Sequence, residues 1–106
     1  MFVILWEFEV KPGNQVRFES AYGPDGAWAQ LFKRDPHFRK TRLVQDPSRP
    51  LYYFTLDFWD CESSYRNFLN SNQAAYKELD ACFAELTRQE RHVLSFTLDP
   101  SLLTAR

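Results

Sequence analysis

Residues 53–59 read YFTLDFW and form the most informative stretch of the chain. Aromatic and β-branched side chains favour strands, so the run from Leu51 to Trp59 predicts a strand that lies centrally in a sheet. Asp60 to Ser64 then supplies side chains that cap helices, and apolar residues recur at helical spacing from Tyr65 onward. The sequence therefore predicts a central aromatic strand that is followed directly by a helix.

Outside this stretch, turn-forming residues divide the chain into further strands and helices. Gly23-Pro24-Asp25-Gly26 breaks the first helix, and Asn70-Ser71-Asn72 breaks the second. The predicted elements are a strand from Phe2 to Val10, helical pieces at 15–22 and 27–32, a strand from His37 to Gln45, the strand from Leu51 to Trp59, helical pieces at 65–69 and 75–86, and a strand from Arg91 to Asp99.

This order is β-α-β-β-α-β, and it predicts an α+β fold of the ferredoxin-like type in a single domain over residues 1–106. Right-handed crossovers place both broken helices on one face of a four-stranded antiparallel sheet. If the helices take the more apolar face, the uncovered face carries Val3, Leu5, Tyr53, Trp59 and Val93. Because an exposed apolar face of this kind marks an interface, we expect a sheet-to-sheet homodimer, a dimeric α+β barrel.

Charge and composition exclude several classes of partner. The formal net charge is −1 with both signs interspersed, whereas nucleic-acid-binding domains carry a basic stripe, so no nucleic-acid partner is expected. The apolar start of the chain is too short to span a membrane and lacks the features of a signal peptide, so we expect no membrane partner and a cytoplasmic location. Cys61 and Cys82 show no metal-ligand spacing, which predicts two reduced thiols and no metal site.

Three parts of the sequence resemble the antibiotic-biosynthesis-monooxygenase-like domains of the dimeric α+β barrel superfamily. They are YGPDGAW at 22–28, YFTLDFW at 53–59, and the run from Ser63 through Tyr65 and Phe68 to 76–79. The resemblance covers residues 2–99 and implies a homodimer whose subunits each hold a cavity between sheet and helices. It also implies a range of activities: some members oxidise phenolic or quinol-like substrates with dioxygen and no prosthetic group, others degrade haem, and others have no known activity.

The haem-degrading branch of that superfamily is disfavoured by the second helix. Members of this branch carry an iron-ligating histidine after the position of Phe68, whereas this chain has Ala75-Tyr76-Lys77-Glu78 there. Glycine motifs that bind nucleotides or flavins do not occur either, and the chain has only three glycines. We therefore expect no cofactor.

Asp57 is the most unusual residue of the aromatic strand. A buried carboxylate must be paired or shift its pKa, so Asp57 is a candidate base or substrate anchor. The alternative is a structural ion pair across the sheet or across the dimer, with Arg42 or Arg91 as the possible counter-charge and Glu7 as a neighbour on the adjoining strand.

Two histidines and six aromatic residues complete the candidate site. His37 and His92 lie at predicted strand starts, and each is either a general base near neutral pH or a structural residue at a sheet end. Aromatic residues at these spacings either line a substrate pocket or belong to the core. The candidate substrate-binding residues are Tyr22, Trp28, Phe32, Tyr53, Tyr76 and Phe83.

Three functional hypotheses follow from these residues and from the resemblance. The first is a cofactor-free monooxygenase of a small aromatic substrate, in which Asp57 or His92 removes a hydroxyl proton and the anion reacts with dioxygen. The second is a non-catalytic, ligand-binding or stress-associated dimer with the same cavity. The third is an isomerase or cyclase that transfers protons without oxygen. Oxygen dependence separates the first hypothesis from the third, and turnover separates both from the second.

Overall fold

The computed structural model describes residues 1–99 and Ser101. Within that part of the chain, strands and helices follow one another in the predicted β-α-β-β-α-β order, and each helical segment consists of two pieces. The elements are β1 (Phe2–Val10), α1 (Gln15–Tyr22), α2 (Ala27–Phe32), β2 (Phe38–Gln45), β3 (Tyr52–Trp59), α3 (Glu62–Ser71), α4 (Gln73–Phe83), a 3₁₀ turn (Ala84–Leu86) and β4 (Thr87–Thr97).

The four strands form one antiparallel sheet in the order β2-β3-β1-β4. In the central pair, Ile4 lies opposite Asp57 and Phe8 lies opposite Tyr53. The register between β1 and β4 shifts after Leu5, which leaves Val93 as the extra residue of a β-bulge. Because successive side chains point to opposite faces, this register fixes which residues meet the helices.

The helices cover the sheet face that carries the even-numbered residues of β1. Trp59 is fully buried there, and its ring lies 5.2 Å from that of Phe38 and 5.1 Å from that of Phe68. Each such aromatic pair stabilises the fold by about 0.5–1.5 kcal/mol beyond its area burial. Part of the aromatic content of the chain therefore forms the core between the sheet and the helices.

Two details of the sequence-based prediction are wrong. Tyr53 and Trp59 lie on the helix-covered face rather than on the uncovered one, because they pair with Phe8 and Phe2, whose side chains point toward the helices. The last strand begins at Thr87 instead of Arg91. Its first residues are polar, so hydrophobic patterning alone does not reveal them.

The uncovered face has an apolar end and a charged end. Two cross-strand rows make up the apolar end. One consists of Phe58, Val3 and Phe96, of which Val3 is fully buried, and the other consists of Leu56, Leu5 and Leu94. At the charged end, Glu7 accepts ion pairs from Arg91 at 3.2 Å and from Arg49 at 3.4 Å. Contiguous apolar residues with a polar rim are typical of an interaction surface.

Candidate active site

A cavity opens between the helix-covered face of the sheet and the helices. The side chains that line it are Trp6, Phe8, Tyr22, Trp28, Phe32, Thr41, Thr55, Asp57, Tyr76, Asp80 and Glu90. The enclosed part of the cavity has a volume of about 50 Å³. One water needs roughly 10–15 Å³ of such space, so the enclosed part holds a few waters and a larger ligand must extend toward the mouth.

Asp57 lies in the sheet wall of this cavity and is only 9% exposed. Thr41, directly opposite on β2, donates a hydrogen bond of 2.6 Å from its Oγ1 to Oδ1 of Asp57. Burial raises the pKa of the Asp57 carboxyl to about 6, and the hydrogen bond from Thr41 offsets part of that rise. Within the described residues, Oδ2 has no hydrogen-bond partner.

The counter-charges expected for Asp57 do not reach it. Arg42 lies opposite Leu56 and therefore on the other face of the sheet. Arg91 pairs with Glu7, and Glu7 lies opposite Phe54, also on the uncovered face. The ion-pair interpretation of Asp57 is therefore wrong for the subunit, because strand alternation places these arginines on the far side of the sheet.

Aromatic side chains from the helices form the opposite wall. Trp28 follows the break between α1 and α2, and its ring lies 4.9 Å from that of Tyr76 and 6.1 Å from that of Tyr22. Burial raises the pKa of Tyr22 to about 12 and raises the pKa of Tyr76 as well, so both hydroxyls are protonated at neutral pH. The nearby Trp28 N–H lowers the pKa of Tyr22 in part, although the two groups are not aligned for a regular hydrogen bond.

Two carboxylate side chains that the sequence pattern did not identify also line the cavity. Asp80 lies one helical turn after Tyr76 on α4, and Glu90 lies opposite Phe8 on β4. Burial, followed by the charge of Asp80, raises the pKa of Glu90. The i,i+4 spacing of Tyr76 and Asp80 was the only available signal for Asp80, and Glu90 fell outside the predicted strand.

Four of the candidate site residues lie outside the cavity lining. His92 packs edge-on against the Trp6 ring at 5.5 Å and shares a hydrogen bond of 2.8 Å with Ser95. His37 lies at the start of β2, where its Nδ1 is 3.2 Å from Asp60. The structure therefore brings Asp57 together with Tyr22, Trp28, Phe32 and Tyr76, but not with either histidine.

The other two candidates occupy places behind the cavity wall. The Tyr53 hydroxyl donates a hydrogen bond to Glu19, and the Tyr53 ring is buried 5.0 Å from that of Phe18. Phe83 contacts Tyr22 edge-on with ring centroids 6.1 Å apart and is not among the lining residues. Both residues support the wall that Tyr22 forms.

Residues 1–99 and 101 contain neither a metal-binding cluster nor a membrane-spanning helix. No group of three or more His, Cys, Asp or Glu side chains in this part of the chain is arranged to hold a metal ion. Over the same residues, no helix has the length and apolar character needed to cross a membrane.

The fold and the cavity agree with the result of comparison with known proteins. A sequence model of the family described as Antibiotic biosynthesis monooxygenase matches residues 1–79. The chain therefore belongs to this family, which confirms the resemblance seen in the sequence. No curated protein sequence matches the chain.

Solved structures from several bacteria share the fold. SnoaB, a cofactor-independent oxygenase from Streptomyces nogalater, is 22% identical with a TM-score of 0.73, and the match covers 95% of each chain. A Deinococcus radiodurans protein assigned to the antibiotic biosynthesis monooxygenases is 9% identical with a TM-score of 0.76 over all of both chains. A Bordetella bronchiseptica protein of the same assignment is 19% identical with a TM-score of 0.71, covering 92% of this chain and 96% of the other. At these identities the likeness shows the fold alone.

Proposed function

We propose that the chain is a cofactor-independent monooxygenase that oxidises a small phenol or quinol bound in the cavity. The observation that carries the proposal is the buried Asp57 carboxylate, which lines an aromatic cavity without a cationic partner among the described residues. A base with a pKa near 6 is ionised at neutral pH and still accepts a proton readily. Membership in the family and the description of SnoaB as a cofactor-independent oxygenase support this choice.

The proposed reaction begins with transfer of the substrate hydroxyl proton to Oδ2 of Asp57. The resulting phenolate is electron-rich and donates an electron to dioxygen, and the two radicals combine to form a carbon–oxygen bond. The peroxide anion takes the proton back from Asp57, and the hydroperoxide then loses water as the ring C–H breaks, which leaves a quinone and an ionised Asp57. One oxygen atom enters the product and the other leaves as water, so phenol and dioxygen balance quinone and water without an external reductant.

The aromatic wall has two roles in this proposal. Trp28 and Tyr76 hold the substrate ring against the sheet and keep bulk water from the anion. The Tyr22 hydroxyl is a donor available to oxygen atoms of the ligand. A neutral tyrosine is required for this role, and the raised pKa of Tyr22 keeps it neutral.

Oxygen consumption by the purified protein tests the proposal. We expect uptake with a panel of phenols and hydroquinones, loss of at least about a hundredfold in Asp57→Asn because the base is removed, and normal uptake in Asp25→Asn, which removes an exposed carboxylate outside the cavity. The rate should rise with pH through about 6 and then level, because only ionised Asp57 accepts the proton.

Other outcomes would assign the cavity differently. Substrate conversion without oxygen uptake would favour an isomerase or cyclase. Ligand binding without any turnover, in both the parent protein and Asp57→Asn, would favour a binding role.

A further inference from the structure

All of the charged side chains that line the cavity are acidic. Asp57 lies in the sheet wall, and Asp80 and Glu90 face it from α4 and β4. No lysine, arginine or histidine is among the lining residues, and neither Asp80 nor Glu90 forms an ion pair within the described chain. A concave site with charges of one sign concentrates ligands of the opposite sign.

The field of these acids reaches the hydroxyl groups in the cavity. Asp57, Asp80 and Glu90 each contribute to the raised pKa of Tyr76, after burial and the neighbouring Tyr65. Glu90 and Asp80 also contribute to the raised pKa of Tyr22. The cavity therefore has a negative potential although the chain as a whole carries a net charge of only −1.

The uncharged residues of the lining also favour a positively charged ligand. Six aromatic rings line the cavity, and they belong to Trp6, Phe8, Tyr22, Trp28, Phe32 and Tyr76. The face of an aromatic ring attracts a cation, most strongly when the ring belongs to tryptophan and the site is partly desolvated. Aromatic walls combined with unpaired carboxylates are the chemistry that recognises an ammonium group.

A buried polar group gives the ligand a second point of attachment. Asp57 is nine-tenths buried, and its Oδ2 has no partner within the described residues. It lies opposite Ile4 of β1, whereas Glu90 lies opposite Phe8 on the other side of that strand. This register separates the two α-carbons by about 14 Å along the strands and about 10 Å across them. The acids thus mark the two ends of an elongated site.

We propose that the ligand is an aromatic amine-bearing phenol, whose ammonium group lies between Asp80 and Glu90 while its hydroxyl points toward Asp57. The inference rests on the proposed function for the role of the hydroxyl. The preference for a cation stands on the lining residues alone.

Three ligands of similar shape test this preference. They are 4-hydroxyphenethylamine, which is positively charged, 4-hydroxyphenethyl alcohol, which is neutral, and 3-(4-hydroxyphenyl)propanoate, which is negatively charged. Binding is followed by the fluorescence of Trp6 and Trp28 and by calorimetry. We expect the amine to bind about tenfold more tightly than the alcohol and the carboxylate to bind most weakly. Added salt should weaken binding of the amine more than that of the alcohol.

The double variant Asp80→Asn/Glu90→Gln should remove the preference for the amine over the alcohol. The matched control Asp25→Asn/Glu78→Gln removes the same two charges outside the cavity and should keep the preference. Circular dichroism checks that both variants are folded. Equal binding of amine and alcohol by the parent protein, no binding of the amine, or an unchanged preference in Asp80→Asn/Glu90→Gln would each overturn the inference.

The two proposals can fail separately. A preference for the amine without oxygen uptake would refute the monooxygenase and retain the cationic site. Oxygen uptake that is fastest with the neutral or anionic phenol would refute the cationic site and retain the monooxygenase.

Discussion

The ionised Asp57 side chain destabilises the folded chain. Its pKa is about 6 when folded, whereas an unfolded aspartate has a pKa near 3.9. The folded state therefore binds the proton more tightly, and this group's contribution to the free energy of unfolding falls as pH rises from about 4 to about 6. Above pH 6 the accumulated loss is roughly 3 kcal/mol.

Asp57→Asn should therefore raise the melting temperature at pH 8 and have little effect at pH 4. We expect a stabilisation of about 1–3 kcal/mol at pH 8, because the neutral amide avoids the desolvation of a charge. Thermal unfolding at both pH values measures this difference. A variant that is less stable than the parent at pH 8 would contradict the prediction and would indicate that Asp57 has a charged partner.

Thr41 limits the rise in the pKa of Asp57. Its hydroxyl donates to Oδ1, which favours the ionised carboxylate. Thr41→Val keeps the shape and removes the donor, so the pKa of Asp57 should rise further. A carbon-13 NMR titration of the Asp57 carboxyl measures this directly and requires no substrate. Thr55→Val, another cavity-lining threonine without a bond to Asp57, serves as the control, and equal titration midpoints in both variants would contradict the prediction.

At the level of residues, the sequence identified chemistry better than geometry. Asp57 was recognisable because a carboxylate in an apolar strand is costly to bury, and no knowledge of the fold is needed to see this. The partners of Asp57 depend on register, and a sequence does not show which arginine lies on which face. For the same reason His92 was a plausible base by type, although its ring packs on Trp6 outside the cavity lining.

The break between α1 and α2 requires glycine at position 26. A β-carbon there would lie 2.4 Å from the carbonyl oxygens of both Ser20 and Ala21, closer than any real contact. These are backbone atoms of α1, so neither can move aside without displacing the helix. The close approach lets α2 start immediately after the break and places Trp28 in the cavity wall.

Gly26→Ala should consequently destabilise the protein by at least about 2 kcal/mol and change the tryptophan fluorescence. Gly13→Ala is the control, since Gly13 has a φ of 88° but open space around it, and its cost should be about 1 kcal/mol without a spectral change. Urea unfolding monitored by fluorescence gives both readouts. Equal costs for the two variants would show that the contact at Gly26 relaxes easily.

Elements were predicted where hydrophobic periodicity was strong and missed where it was weak. β1 and β3 are rich in aromatic and aliphatic residues, and both strands were predicted within one residue of their observed bounds. The first residues of β4 are polar because they flank the cavity mouth and the charged end of the free face. The pairing with β1 forms that part of the strand, and such pairing is a tertiary effect that local propensity does not report.

For the whole molecule, the sequence predicted that one face of the sheet is apolar and uncovered. The strand register determines which residues lie on that face. Leu56, Leu5 and Leu94 form a row across β3, β1 and β4, and Leu94 is 44% exposed. The ion pairs of Glu7 border this row on one side. A second copy related by a two-fold axis buries the same residues on both subunits, so the surface is suited to a homodimer.

We predict that the chain forms a homodimer through this face and that a charge placed in the leucine row prevents the dimer from forming. We expect the parent protein to elute with twice the chain mass in size-exclusion chromatography with light scattering, and Leu56→Asp to elute as a monomer, because an unpaired carboxylate in an apolar interface is costly. Val16→Asp introduces the same charge at a residue of α1 that is 80% exposed, on the other side of the molecule, and it should remain dimeric. If Leu56→Asp does not fold, Leu94→Lys tests the same row from an already exposed position. A parent protein that is monomeric at micromolar concentration, or a dimer that survives both substitutions, would mean that the leucine row does not form the interface.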